Sequence, residues 1–166
     1  MVDSMRRPTV MIVDDAEENL MIMESILAQN YTPIVFSDAK LALEHALATP
    51  PDIVLLDIIM PDMDGFELCR RLKANPKFAD IPIIFITAKN EDEYEENGFL
   101  VGASDFIHKP INAAILISRV KTHLKIKLVI DYLKTENVRL QKIEQHSSSE
   151  LIRVIKSLCE NPFLKI

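Results

Sequence analysis

The chain has 166 residues, 48% of them hydrophobic and 27% charged, with a formal net charge of −6. That length allows one domain with a sizeable core plus an appendage, and the acidic balance argues against non-specific nucleic-acid binding. No apolar run reaches the roughly 18 residues of a membrane span, and Met1–Thr9 lacks the apolar stretch of a signal peptide, so no membrane association and a cytoplasmic location are expected.

Thr9 to Val13 is a short apolar run that predicts a first strand ending at Asp14-Asp15. From Ala16 to Gln29, Leu20, Met23, Ile26 and Leu27 recur at helical spacing, the pattern of an amphipathic helix. Glu17 and Glu18 in its first turn suit the positive end of the helix dipole. Thr32 to Phe36 predicts a second strand, and Pro33 near its start places it at a sheet edge. Ser37 or Asp38 can cap a helix running through Ala48 with Leu41, Leu43 and Leu47 on its apolar face. Pro50-Pro51 ends that helix. Ile53 to Leu56 then runs straight into Asp57. A continuous apolar run bounded by turn residues predicts a strand buried on both faces, hence one of a parallel sheet.

Pro61 and Gly65 turn the chain into a third helix, Phe66 to Ala74, with Phe66, Cys69 and Leu72 inward. Ile81 to Ile86 predicts a fourth strand ending at Thr87-Ala88. Glu91 to Val101 predicts a helix with an acidic start, weakened by about 1 kcal/mol at Gly98 and capped by Gly102. Phe106 to His108 is a short fifth strand ending at Lys109-Pro110. Cys69 and Cys159 have no metal or redox spacing and fit a reducing compartment as inert thiols.

Strands alternating with helices predict an α/β fold with a parallel sheet, helices on both faces and right-handed crossovers. Such a sheet brings its strand ends to one edge, where open α/β sheets hold ligands. Asp14 and Asp15, Asp57, Thr87 and Lys109 each follow a different strand. Alone, each is ordinary: an acidic pair is commonly an N-cap and a solvated turn, a strand-end Thr a satisfied turn residue, and Lys-Pro a frequent start of a helix. Together at one sheet edge they are far more specific, because agreement across levels is the signal. Converging carboxylates repel unless a cation sits among them, and hard oxygen donors with room for water suit Mg²⁺. With a lysine and a threonine hydroxyl beside them, the set makes a site that accepts a phosphoryl group onto Asp57.

Residues 8 to 123 resemble the receiver domain of bacterial two-component response regulators. The likeness rests on Val13-Asp14-Asp15, on Leu56-Asp57-Ile58-Ile59-Met60-Pro61-Asp62-Met63-Asp64-Gly65, on Ile86-Thr87-Ala88, on Gly102-Ala103-Ser104-Asp105-Phe106 and on Lys109-Pro110. It implies a flavodoxin-like, doubly wound, five-stranded parallel sheet of order 2-1-3-4-5. It implies that Asp57 is the phospho-acceptor, that Asp15 ligates Mg²⁺ directly and Asp14 through water, and that the Ile59 carbonyl is a further ligand. Thr87 would bond a phosphoryl oxygen and Lys109 would pair with the phosphate. Phe106 stands where the family has its switch aromatic: Thr87 would move inward and Phe106 turn into the space vacated. That would bias the surface made by the helix at 91–101, the fifth strand and the helix after it. A sensor histidine kinase or phosphotransfer protein is the implied partner. The acidic stretch Asn90 to Asn97 departs from the family pattern at that partner surface.

The last predicted helix runs from Asn112 to about Gln145 without Gly or Pro. Ile126, Ile130, Leu133, Asn137 and Leu140 alternate at spacings of four and three, a coiled-coil seam. Asn137 falls at an a position, where it favours a parallel homodimer, and Glu144 at the next a position weakens the seam. The competing expectation is a single amphipathic helix packed on its own domain. Ser147 to Ser149 is expected to break the helix, and Glu150 to Leu158 reads as a short helix of its own. The expected divisions are a receiver domain over 1–123, a helical linker over 124–145 and a short helical tail over 146–166. The tail reads as the start of an output region or a small helical cap.

The leading function is therefore a phospho-accepting switch that is not itself an enzyme and relays its state through the long helix. An Asp-nucleophile phosphatase would want an acid two residues after Asp57, where Ile59 stands. A dimeric interaction module without phosphorylation leaves the acidic site unexplained. His146 lacks a following acidic residue and does not read as a phospho-histidine. No basic recognition helix for DNA is present.

Overall fold

The computed structural model describes residues 6–88 and 100–160, with side chains described as far as residue 156. Strands β1 (Thr9–Val13), β2 (Thr32–Phe36), β3 (Ile53–Asp57), β4 (Ile83–Thr87) and β5 (Asp105–His108) form one sheet. All neighbouring pairs are parallel, as the alternation of elements predicts, and the order is β2-β1-β3-β4-β5, as the family resemblance implies. Between them come α1 (Glu17–Leu27), α2 (Ala39–Ala48), α3 (Gly65–Lys73) and a 3₁₀ turn at Pro76–Phe78. The final helix, α4, is Ala113–Glu160. Most of the helix expected over Glu91 to Val101 lies outside the described residues. The chain divides into two units, one up to Lys127 and one from Leu128 onward. No helix among the described residues is long and apolar enough to cross a membrane.

The side-chain period of two explains why the central strands read as unbroken apolar runs. Val54 and Leu56 of β3 face one layer with Met11, Val13, Ile83, Phe85 and Phe106, under α2 and α3. Ile53 and Leu55 face the other with Val10, Ile12, Ile84, Ile86 and Ile107, under α1 and the first turns of α4. Each such fully buried aliphatic side chain contributes about 2 kcal/mol of transfer free energy. β2 is an edge strand, as Pro33 predicts.

Local signals set the helix starts. Asp38 caps α2, accepting from the N–H groups of Lys40 and Leu41 at 2.8 and 2.9 Å. Asp64 caps α3, accepting from the Glu67 N–H at 2.8 Å. At the far end of α3, Lys73 Nζ donates to the carbonyls of Phe78 and Ile81 at 3.0 and 2.7 Å, tying the helix to the turn before β4.

Two expectations are corrected. α2 buries Ala39, Ala42 and Ala46, while Leu41 and Leu47 face outward and Leu43 packs only partly. Small side chains let the helix backbone lie close to the sheet, so the inward stripe is alanine. The serines at 147–149 do not break the chain either: α4 runs through them. The Ser149 hydroxyl donates to the Gln145 carbonyl at 2.8 Å, one turn back, which keeps a serine compatible with a helix.

Candidate functional site

The sheet brings four strand ends together. Asp14 follows β1 and is fully buried. Its Oδ1 accepts from the Ala16 N–H at 2.9 Å, and the Asn19 amide donates to Oδ1 and Oδ2 at 3.0 and 3.1 Å. Asp15 beside it is exposed. Asp57 ends β3, buried at 5% exposure, and its Oδ1 accepts from the Ile59 N–H at 3.2 Å. Ile59 itself lies in the β3–α3 loop with its side chain half-exposed. The carboxylates of Asp14, Asp15 and Asp57 each offer an oxygen within 4.8 Å of the others. Hard oxygen donors at that separation fit a divalent cation such as Mg²⁺.

Lys109, just after β5, reaches across this group. Its Nζ lies 2.7 Å from Asp57 Oδ2 and 2.8 Å from Asp14 Oδ2. Its own N–H donates to the Thr87 carbonyl at 2.7 Å, joining the ends of β4 and β5. Thr87 is buried at the end of β4. Burial pushes the Asp57 carboxyl above its usual range; the Lys109 hydrogen bond opposes that, and the Asp14 charge adds to it. Burial works against the Lys109 charge too, but hydrogen bonds to Asp14 and Asp57 outweigh it and hold the ammonium above its usual range. The causes differ: burial dominates at Asp57, and the two carboxylate partners dominate at Lys109.

Gly65 sets how closely α3 approaches. A side chain there would overlap the Asp57 carbonyl oxygen and come within 2.9 Å of Ile58 Cα. Its N–H donates to the Ile58 carbonyl at 2.9 Å. The loop carrying Ile59 is thereby closed against the strand that carries Asp57. Asp62 in the same loop takes a left-handed φ of 64°, a conformation aspartate tolerates.

Phe106 points inward at 7% exposure. Its ring centroid is 5.5 Å from that of Phe85, which in turn lies 5.2 Å from Phe66. The seam residues behave differently. Ile126, Leu133, Asn137 and Leu140 are exposed, and Ile130 is half-buried.

Two polar groups with tertiary partners were not read from the sequence. One is Asn19, which orients Asp14; an Asn one turn into a helix that follows an acidic pair is the signal that could have found it. The other is Asp105, at the start of β5, held by Arg119 Nη1 at 2.7 Å and His123 Nε2 at 2.8 Å from α4. The spacing of four between Arg119 and His123 puts them on one helix face.

The response regulator receiver domain family model matches residues 10–121. A Vibrio cholerae protein described as a probable cyclic di-GMP phosphodiesterase is 40% identical over 153 residues, covering 92% of this chain and 35% of that protein. Response regulator PleD of Caulobacter vibrioides is 41% identical over 126 residues, covering 75% of this chain and 28% of that protein. Among solved structures, the BeF3-activated DrrB receiver domain is 30% identical with a TM-score of 0.67, covering 72% of this chain and 98% of that one. The chain thus spans about a third of the length of these curated relatives. With a family match across most of its length, the sheet order and the acidic strand-end cluster in agreement, the chain belongs to the response regulator receiver domain family.

Proposed function

We propose that this chain is a phospho-accepting switch: Asp57 takes a phosphoryl group from the phosphohistidine of a sensor kinase or phosphotransfer protein. The observation that carries this reading is the buried Asp57 carboxylate, paired with Lys109 at 2.7 Å and set beside Asp14 and Asp15. An Asp57 carboxylate oxygen forms the bond to phosphorus, and the bond from phosphorus to the donor's histidine nitrogen breaks. Lys109 moves its ammonium from the free carboxylate to a phosphoryl oxygen, and the Thr87 hydroxyl donates to another. Asp14, Asp15, Asp57 and the Ile59 carbonyl would hold Mg²⁺, which when bound supplies the positive charge that the phosphoryl oxygens need. Asn19 keeps the Asp14 carboxylate oriented for that role. The aspartyl phosphate is a mixed anhydride and is lost slowly to water.

Once Thr87 is engaged, Phe106 is held by packing alone, since it has no hydroxyl to hydrogen-bond. Movement of this pair biases the surface of β5 and the start of α4. The state passes along α4 to a homodimer formed through Ile126, Ile130, Leu133, Asn137 and Leu140. Similarity to the Vibrio cholerae protein reaches beyond the receiver region into this helix, which supports an output of cyclic-dinucleotide type beyond the receiver. The reading also places the protein in the cytoplasm, with the kinase that feeds it.

Incubation with phosphoramidate, whose nitrogen–phosphorus bond stands in for phosphohistidine, tests the reading. One added phosphate that needs Mg²⁺, together with a change in elution from a sizing column, is expected. A wild-type chain that takes up none would overturn it.

A further inference from the structure

The uninterrupted helix changes the meaning of the polar stretch at 144–149. In the frame set by Ile130 and Asn137 at a and Leu133 and Leu140 at d, the following core positions are Glu144, Ser147, Leu151 and Val154. The frame therefore keeps its phase through the serines and meets a second apolar block. From 130 to 154 this gives about four heptads, the length at which a coiled coil becomes a realistic prospect. Leu133, Leu140, Leu151 and Val154 are all more than half exposed along the helix that carries them.

We propose that a second copy of this chain covers this stripe, parallel and in register, and that Glu144 and Ser147 form a weak layer between two separately breakable blocks. The proposal rests on the homodimer reading above and adds its extent through the serines and the separability of its two blocks. Charge selects the orientation. In a parallel pair, g positions face the e positions of the next heptad: Val129 with Lys134, Glu136 with Gln141, Ile143 with Ser148, Glu150 with Ile155. None of these pairs is of like sign. An antiparallel pair sets g against g, where Glu136 and Glu150 both stand. Parallel pairing also places Asn137 opposite Asn137, where the two amides can hydrogen-bond and fix the register.

The same symmetry sets Glu144 against Glu144. Two like carboxylates in a dry seam repel and lose solvation together. Ser147, the next core residue, supplies no apolar contact to offset them. The block Ile130–Leu140 can then stay paired while Leu151–Val154 opens, so the far end of the helix can change its pairing without dissociation of the dimer.

The test uses the 166-residue chain carrying Cys159→Ser, with Cys69 buried in the core, after phosphoramidate and Mg²⁺ have added the phosphate. Leu133→Cys, Leu151→Cys and, as an outward control, Arg153→Cys are oxidised separately, and dimer affinity is measured by sedimentation for Glu144→Gln and Glu144→Leu. Symmetric cross-links at both 133 and 151 but not at 153, with dimer affinity rising at least about tenfold for Glu144→Leu and less for Glu144→Gln, support the proposal. A chain that stays monomeric overturns it together with the dimer reading. A dimer that links at 133 but no better at 151 than at 153, or whose affinity ignores Glu144→Leu, overturns the proposal and leaves the dimer standing.

Discussion

Lys109 Nζ lies 2.7 Å from Asp57 Oδ2 and is shared with Asp14. One ammonium thus compensates two buried carboxylates. Replacing Lys109 with Met keeps the volume of its stem and leaves both acids uncompensated, which costs about 3 kcal/mol. Urea unfolding without divalent cation should show that loss. Adding Mg²⁺ should return part of it, because a ligand that binds only the folded state stabilises it.

Asn19 offers its amide to both oxygens of Asp14. Asn19→Ala leaves that carboxylate free to rotate. Its effect on stability should be about 1 kcal/mol, but Mg²⁺ affinity, followed by thermal shift against metal concentration, should fall about tenfold, as for other residues that orient a ligand.

Gly65 has no room for even a methyl group against the Asp57 carbonyl. Gly65→Ala must push α3 or the Ile59 loop away, and the expected cost is about 2 kcal/mol, in the range for overpacking. Chemical shifts of the Asp57 and Ile59 amides should move while those of β2 do not.

Asp105 gives a pH signature. Burial alone would raise its carboxyl, but hydrogen bonds from His123, the Phe106 N–H and Arg119 outweigh this and hold it below the usual range. The ionised form is therefore favoured by folding. Its stabilisation is complete above the unfolded value of about 3.9 and disappears as pH falls through the lower folded value. Asp105→Asn should be about 1 kcal/mol less stable than wild type at pH 7, with Arg119 contributing little because it is half exposed. The gap should close below about pH 4, and denaturant midpoints across pH 3 to 7 check this.

The sheet and its acidic edge were legible because both obey short-range rules. Ile53 to Leu56 is short, apolar and bounded by turn residues, which reads as a strand buried on two faces, and parallel order carried Asp57, Asp14 and Lys109 to one edge. Ser37 and Asp38 announced a helix start by capping chemistry, and Asp38 is the one that caps it. What stayed hidden depends on partners distant in sequence or on close packing. Asn19 carries only the faint signal of its place one turn after the acidic pair, and its bonds to Asp14 emerge only once the helix is folded against the strand end. Leu41 and Leu47 drew attention away from Ala39, Ala42 and Ala46, whose value lies in letting α2 approach the sheet. Ser147 to Ser149 looked like a break because serine competes for backbone groups, yet the Ser149 hydroxyl bonds within the helix and leaves it intact.

The central claim is that Asp57 itself carries the phosphate. Acetyl phosphate is added with Mg²⁺, the protein is reduced with borohydride, which converts an aspartyl phosphate to homoserine, and peptides spanning 52–70 are sequenced by mass. Homoserine at position 57, absent without Mg²⁺ and absent in Asp57→Asn, is the predicted result. Modification at another residue, or none in the wild type, would contradict it.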